Sequence, residues 1–188
     1  FEALVAAAVG GSDLADLAAP GTPGFAIKPL NPTRQSAAFE RLREAAARYA
    51  ETTGKHPAVF FANLGNPTSF SARESWIRNL FAAGGIEAIT NSGFSDAEAA
   101  ANAFQESGAS LACICGSDAQ YDALAVATAN ALKSAGAKGI YIAGRPGHLY
   151  DSLEVAGVTG FAHAGCNVVD LLETAFSALE IDVKGDEK

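Results

Sequence analysis

A thiol and an imidazole stand three residues apart near the carboxyl end of the sequence. Cys166 follows His163, and a cysteine beside a histidine is a usual pair for nucleophilic catalysis. Such a pair needs a third group that orients the imidazole, and the surrounding loop contains no carboxylate. We therefore expect both residues to be structural and predict no catalytic residue. A small hydrolase or transferase that uses this pair is kept as an alternative.

Metal chemistry is not favoured by the other cysteines and histidines. Cys113 and Cys115 lie in one apolar run, where a cysteine usually acts as a small buried hydrophobe. A zinc site needs three or four converging ligands, but His56, His148 and His163 are scattered along the chain. We predict no metal site.

The loops hold the remaining polar candidates. The stretch Asn63 to Ser69 (NLGNPTS) follows the first apolar run, where α/β folds often bind phosphate. It has neither G-x-G-x-x-G nor a Walker lysine, which excludes dinucleotide and nucleoside-triphosphate sites. A phosphoacceptor site is excluded because Asn63 and Cys115 stand where acidic residues are required. Arg145 and His148, in GRPGH, could contact an anion, although solvated loop side chains are the simpler interpretation.

Short apolar runs alternate with stretches of helical period, and this rhythm predicts the elements that position those loops. Strands that are apolar on both faces need helices on both sides, so we predict an α/β fold with a doubly wound, five-stranded parallel sheet of flavodoxin-like type. Capping boxes are expected at Ser71, Ser95 and Ser117, and helix C-caps at Gly108 and Gly136. The predicted strands are AVFFA (58–62), IEAIT (86–90), LACIC (111–115), GIYIA (139–143) and GFAHA (160–164).

The composition excludes two classes of partner. The chain has 188 residues, with 13 Lys and Arg against 21 Asp and Glu, for a net charge of -8. Such a chain repels nucleic-acid phosphates and anionic membrane surfaces. No run approaches the ~18 apolar residues that span a bilayer. Three cysteines are too few for a disulfide framework, so we expect a cytoplasmic protein. From the charge and the apolar runs we expect it to bind neither nucleic acid nor membrane.

Changes in composition divide the sequence into four parts. Residues 1–35 contain a helix (Phe1 to Val9) and a Pro-rich stretch (Pro20 to Pro32) that predicts an extended linker. Residues 36–56 form a linking amphipathic helix, residues 57–182 the α/β domain, and residues 183–188 a tail. The chain contains no Met and opens within a helical pattern, which indicates a piece of a longer polypeptide.

The run FFANLGNPTSFSARESWIRNLFAAGGIEAI, preceded by FERLREAAARYAETTGKHP, resembles the small (beta) subunit of bacterial methylmalonyl-CoA mutase. The likeness continues to Leu179, and its most specific piece is NLFAAGGIEA (79–88). The resemblance implies that residues 57–182 are the family's C-terminal cobalamin-binding-like domain. It also implies that residues 1–35 follow a barrel domain, the part that binds acyl-CoA in the family, which is absent from this sequence.

The family's cobalamin motif is altered in this sequence. In D-x-H-x-x-G the histidine is the lower axial ligand of cobalt, and the motif falls on Thr68, Phe70 and Arg73. A phenyl ring has no lone pair, and threonine lacks the carboxylate that orients such an imidazole. The resemblance thus implies a closed or filled groove, with Phe70 and Trp76 in the core. Further altered positions are Cys115 and Ser117 (from S-x-L), Gly144 and Arg145 (from paired glycines), and His163 and Gly165 (from G-P-G-T).

By this resemblance the chain is a non-catalytic, structural part of an adenosylcobalamin-dependent isomerase, which interconverts methylmalonyl-CoA and succinyl-CoA. The partner large (alpha) subunit of the heterodimer is expected to bind adenosylcobalamin. This chain is expected to bind no cofactor and to contact the large subunit through Pro20 to Pro32 and through apolar loop ends. The alternative is a functional cobalamin-binding module that needs no protein histidine and contacts the cofactor tail through Thr68, Ser69 and Ser117.

Overall fold

The chain divides into two units, one ending at Thr33 and the other beginning at Arg34. The computed structural model describes residues 2–11 of the first unit and residues 34–183 of the second. In the first unit, helix α1 (Glu2–Val9) confirms the predicted amino-terminal helix. The predicted linker, Pro20 to Pro32, and residues 184–188 of the predicted tail lie outside the described residues.

Helices and strands alternate through the second unit, and each strand lies at the apolar run that predicted it. The amphipathic helix predicted before the first strand is also present, and it ends at Gly54. No helix within residues 2–11 and 34–183 is long and apolar enough to cross a membrane. The main elements are α2 (Ala37–Thr53), β1 (Ala58–Asn63), α3 (Pro67–Ala83), β2 (Glu87–Ile89), α4 (Ala97–Ser107), β3 (Leu111–Cys115), α5 (118–134), β4 (Gly139–Ala143), α6 (Tyr150–Val155), β5 (Gly160–Ala162) and α7 (Val168–Ala178).

Helix α5 is not uniform along its length. It begins as a short α-helical segment (Asp118–Gln120), widens into a π-helical turn (Tyr121–Ala125) and ends as a regular α-helix (Val126–Ser134). A π-helical turn accommodates one more residue than an α-helical turn and is often found near functional sites. Between β4 and α6 the chain makes a single 3-10 turn (Gly147–Leu149).

The sheet is parallel throughout, and its strands lie in the order β2-β1-β3-β4-β5. The register places Phe61 of β1 beside Cys113 of β3, and Cys113 beside Tyr141 of β4. This is the flavodoxin-like strand order, in which strands β1 and β3 are neighbours although β2 separates them in sequence. The predicted α/β fold is confirmed.

Two apolar cores cover the two faces of the sheet. On one face α2, α3 and α7 pack against strand residues such as Phe61 and Tyr141. On the other face α4, α5 and α6 pack against the intervening residues, such as Phe60 and Ile142. Since each fully buried Leu or Phe contributes about 1.5–3 kcal/mol, these two layers supply most of the favourable free energy of folding.

Helix starts agree with only part of the sequence-based prediction. The hydroxyl of Ser117 accepts from the Gln120 amide and caps α5, as predicted. The capping boxes predicted at Ser71 and Ser95 are wrong, because neither serine caps a helix. Asp96, rather than Ser95, caps α4 through the Ala99 amide. Helix α3 begins four residues before Ser71, at Pro67, because proline suits the first helical position.

The glycine pair in NLFAAGGIEA has a packing explanation. A Cβ atom on Gly84 would lie 3.0 Å from the side chain of Leu172 in α7. A Cβ atom on Gly85 would lie 2.9 Å from the Ala46 Cβ atom in α2, and Gly85 also has a φ of +83°. Glycine therefore lets the turn from α3 to β2 pass beneath both helices.

We predict that Gly85→Ala destabilises the domain more than Gly54→Ala does. Both glycines have a positive φ, but nothing lies within 4 Å of a Cβ atom on Gly54. The left-handed backbone costs each alanine about 1–2 kcal/mol. Overpacking against Ala46 should add about 1–3 kcal/mol for Gly85→Ala. Urea unfolding of the two variants measures the difference, and equal losses would show that the contact with α2 is easily relieved.

Candidate functional site

The point where ligands bind in such a sheet lies at the carboxyl ends of β1 and β3. The chain leaves β1 toward β2 on one side and leaves β3 toward β4 on the other, so the two following loops diverge. In open α/β sheets this divergence makes a crevice that holds the ligand. The side chains and backbone groups at this edge therefore decide what the domain can bind.

In the loop after β1, the first two backbone amides donate to other parts of the protein. The Leu64 amide donates to the Cys115 carbonyl (2.7 Å), and the Gly65 amide donates to the Phe94 carbonyl (2.8 Å). The Phe94 amide returns a bond to the Asn63 carbonyl (2.7 Å). Gly93 permits this approach, because a Cβ atom there would lie 2.1 Å from the Gly65 carbonyl oxygen. The Leu64 and Gly65 amides are thus not directed at an anion.

Hydroxyl groups at the start of α3 are also engaged locally. The Thr68 hydroxyl donates to the Asn66 side-chain oxygen (2.6 Å), and the Ser69 hydroxyl lies 3.2 Å from the same atom. Asn63, at the end of β1, is fully buried, and neither polar atom of its side chain has a hydrogen-bond partner within residues 2–11 and 34–183. The polar end of β1 is enclosed by the domain.

Phe70 is a core residue, as expected. Its exposed fraction is 3%, and it shares the buried face of α3 with Ile77 and Phe81. The expectation for Trp76 is wrong, because 41% of that residue is exposed. At 100° per residue, Trp76 lies on the flank of α3 rather than on the face that Phe70 and Ile77 share.

Arg73 extends from α3 across the crevice to the far loop. Its Nη1 atom donates to the Gly116 carbonyl, and its Nη2 atom donates to Asp118 Oδ1 at the start of α5. The guanidinium carbon lies 4.9 Å from the ring centroid of Tyr121, which is cation-π geometry. A Cβ atom on Gly144, after β4, would lie 3.7 Å from the same carbon. One side chain thus contacts the loop that follows β3 and lies close to the loop that follows β4.

The charge of Arg73 is secured by its partners. Partial burial alone would lower the pKa of the guanidinium, but the hydrogen bond and the charge of Asp118, with Tyr121, outweigh burial and raise it. The ion pair is partly solvated, because the Asp118 side chain is 88% exposed. The more protected interactions are therefore those with the Gly116 carbonyl and the Tyr121 ring.

Tyr121 fixes the floor beneath Arg73. Its hydroxyl donates to the Ala143 carbonyl (2.8 Å), lies 3.2 Å from the Ile114 carbonyl, and accepts from the Gly116 amide (3.2 Å). Burial raises the pKa of this phenol well above its ordinary value, so the hydroxyl stays protonated and able to donate. The ends of β3 and β4 are tied together through one side chain.

The thiol and imidazole candidates do not form a reactive pair. Cys113 and Cys115 are fully buried, and burial raises the pKa of the Cys115 thiol, which suppresses the thiolate. Cys166 and His163 share a backbone turn, in which the Cys166 amide donates to the His163 carbonyl (3.0 Å). The His163 ring Nδ1 atom lies 3.0 Å from the Ala164 carbonyl and makes no described contact with the thiol.

The other predicted positions lie along the same edge of the sheet. Gly144 and Gly165 have positive φ values, of +145° and +88°. Arg145 is exposed and lies 3.4 Å from the Ala164 carbonyl, while His148 Nε2 lies 3.4 Å from Asp122 Oδ1. Within residues 2–11 and 34–183 no three His, Cys, Asp or Glu side chains converge as a metal site would require.

Sequence reasoning singled out Arg73 as an altered position but did not link it to the residues that it contacts. Tyr121 was not singled out, although Asp118 and Tyr121 stand at i and i+3 in the first turn of a helix, on one side of it. Their partner is more than 40 residues earlier in the chain. No local sequence pattern links the two segments, so the contacts between them can be recognised only in the folded structure.

Three curated relatives illustrate what the chain is similar to. It is 40% identical over 148 residues to a protein of Streptomyces virginiae, 34% over 146 residues to one of Porphyromonas gingivalis, and 32% over 150 residues to one of Propionibacterium freudenreichii subsp. shermanii. Each of the three is named a methylmalonyl-CoA mutase small subunit. These likenesses support the identification of the matched part of the chain as small-subunit sequence. The resemblance drawn from residues 39–89 is confirmed.

The match to the small-subunit family covers most of this chain and a minor part of each relative. It includes 79%, 78% and 79% of the chain, but 23%, 22% and 23% of the three proteins, respectively. The chain thus spans about a quarter of the length of the small subunits that it matches. No family model matches the chain.

We predict that Arg73→Ala destabilises the domain by about 1–3 kcal/mol, because it removes a hydrogen bond to the carbonyl of the buried residue Gly116 and a cation-π contact with Tyr121. Arg73→Lys should recover only part of the loss, since an ammonium cannot reach Gly116 and Asp118 with a planar fork. Arg78→Ala, on the exposed side of the same helix, is the matched control, with a change below about 0.5 kcal/mol. Equal effects at the two positions in chemical denaturation would contradict the assignment.

Proposed function

We propose that this chain is a structural, non-catalytic domain of the small subunit of the adenosylcobalamin-dependent methylmalonyl-CoA mutase, an isomerase that interconverts methylmalonyl-CoA and succinyl-CoA. In this proposal the large subunit binds the cofactor, which carries the difficult radical chemistry. The small-subunit domain packs against the large subunit and contributes no reacting group.

The observation that carries the proposal is the burial of Phe70. An imidazole that ligates cobalt must present a nitrogen lone pair to the metal at the open edge of the sheet. Phe70 has no such atom, and its ring is directed into the core, with an exposed fraction of 3%. Thr68, at the position of the orienting carboxylate, is engaged with Asn66. The residues present do not fit a histidine-ligated cobalamin.

The position of Arg73 supports the same conclusion. The crevice between the ends of β1 and β3 is where a ligand of a doubly wound sheet inserts. Here the guanidinium of Arg73 crosses that crevice and contacts Gly116, Asp118 and Tyr121. A large cofactor tail would have to displace these interactions before it could enter. The alternative module that binds cobalamin without a protein histidine therefore gains no support from this geometry.

The partner assignment rests on the names of the relatives. The relatives are small subunits, which implies a larger companion. No three metal-binding side chains converge, and no reactive thiol-imidazole pair is formed, in the described part of the chain. In this proposal a domain without such groups holds a catalytic partner in place.

We predict that the chain takes up neither adenosylcobalamin nor hydroxocobalamin when titrated at micromolar concentration and followed by visible absorbance. Phe70→His tests whether the closed crevice also prevents binding. An imidazole at this buried position should still fail to ligate cobalt while Arg73 closes the crevice. Phe70→His combined with Arg73→Gly is the permissive comparison. Stoichiometric uptake by the unaltered chain would overturn the structural proposal in favour of a cofactor-binding module.

We also predict that the tagged chain co-purifies with the large subunit and that removal of residues 1–33 abolishes this association. The deletion ends at the boundary between the two units, so the second unit keeps its own elements. Removal of residues 184–188 is the matched control and should leave the association intact. Circular dichroism verifies folding of each variant, and undiminished binding after removal of residues 1–33 would exclude that segment as the contact.

A further inference from the structure

A second, open cleft lies beside the crevice that Arg73 closes. It has a volume of about 430 Å³ and lies between the start of α5, the loop after β4 and helix α6. This size falls within the range of small-molecule sites, which is about 300–1,000 Å³. The cleft is at the carboxyl edge of the sheet, where loops rather than strands decide specificity.

The floor of the cleft is apolar and rigid. Ile142 at the end of β4 and Leu153 of α6 line it, and both belong to the buried core. The Tyr121 ring forms one wall and is held by the hydrogen bond from its hydroxyl to the Ala143 carbonyl. Leu149, in the 3-10 turn, also lines the cleft. An alkyl or aryl group placed there would lose contact with water.

The charges at the rim are unevenly paired. Asp118 is bonded to Arg73, and Asp122 lies 3.4 Å from His148 Nε2, so each acid faces a base. Arg145 has no carboxylate partner in the part of the chain that is described, and its only hydrogen bond is a long one, 3.4 Å, to the Ala164 carbonyl. In a chain of net charge -8, this leaves one available guanidinium above an apolar floor.

We propose that this cleft binds a small organic anion with an apolar body, whose carboxylate or phosphate head contacts Arg145 and whose chain lies on Ile142, Leu149 and Leu153. The planar guanidinium matches either head in a bidentate arrangement. The cleft adjoins the crevice that Arg73 fills, and Arg73, Asp118 and Tyr121 also line the cleft. A structural role of the domain in an assembly is compatible with it, and the proposal does not depend on that role.

The test is a titration of the full ¹⁵N-labelled chain followed by NMR, with acetate, butyrate, hexanoate and hexyl phosphate as probes and 1-hexanol as the neutral control. We expect saturable shifts centred on the amides of Gly144 and Gly147. Affinity should rise with chain length by up to about fourfold per methylene, as expected for burial of the chain. Hexanol should bind at least about tenfold more weakly than hexanoate, because it cannot pair with a guanidinium.

Two variants separate the proposed site from general attraction of anions. Arg145→Gln should weaken hexanoate about tenfold, whereas Arg78→Gln, which removes the same charge from α3, should leave the affinity unchanged. Both positions are exposed, and the amide spectrum itself reports whether each variant is folded. The tighter of hexanoate and hexyl phosphate identifies the preferred head group. Unsaturable shifts, equal binding of hexanol, or equal effects of the two variants would overturn the proposal.

Discussion

The guanidinium of Arg73 is the interaction on which the carboxyl edge of this sheet depends. A doubly wound sheet leaves backbone polar groups unpaired where its loops diverge, and these groups need partners. Here Arg73 donates to the Gly116 carbonyl and lies over Tyr121, and the Tyr121 hydroxyl joins the ends of β3 and β4. In other doubly wound folds this crevice is open to a ligand, whereas here side chains of the protein itself occupy it.

Phe70 and the loop after β1 likewise make their contacts within the protein at the carboxyl edge of the sheet. The Leu64 amide donates to the end of β3 and the Gly65 amide donates to the loop after β2, and Gly93 lets that loop approach closely. Because these two donors are used internally, they are not available to hold a phosphate. The adjoining cleft near Arg145 remains an accessible concave surface at this edge.

Much of the fold could be predicted because strands buried on both faces leave short, continuous apolar runs in the sequence. The strands and the parallel sheet follow from these runs, and the helix ends at Gly54 and Gly108 follow from the preference of glycine for the left-handed cap position. Local alternatives misled the predictions at Ser71 and Ser95, where Pro67 and Asp96 supply the stronger helix starts. Trp76 was misplaced because hydrophobicity alone does not give the phase of a helix.

The cluster around Arg73 lay beyond such reasoning for a different cause. Its members come from α3 and from the start of α5, and their meeting depends on strand order, loop length and the path of a long side chain. The resemblance to small subunits flagged Arg73 as altered but gave no indication of what the arginine contacts. Contacts between segments that are distant in sequence can be predicted only when the strand order of the sheet is known.

The widened turn of α5, Tyr121–Ala125, also limits how this protein can change over evolutionary time. Loss of a single residue there would restore a regular period and rotate the phenol by about 100° relative to the rest of the helix. The aromatic ring would then swing away from the strand ends that it joins. Changes in length are better tolerated after Ser134, where they alter only a connecting loop, so natural insertions should collect at that end of the helix.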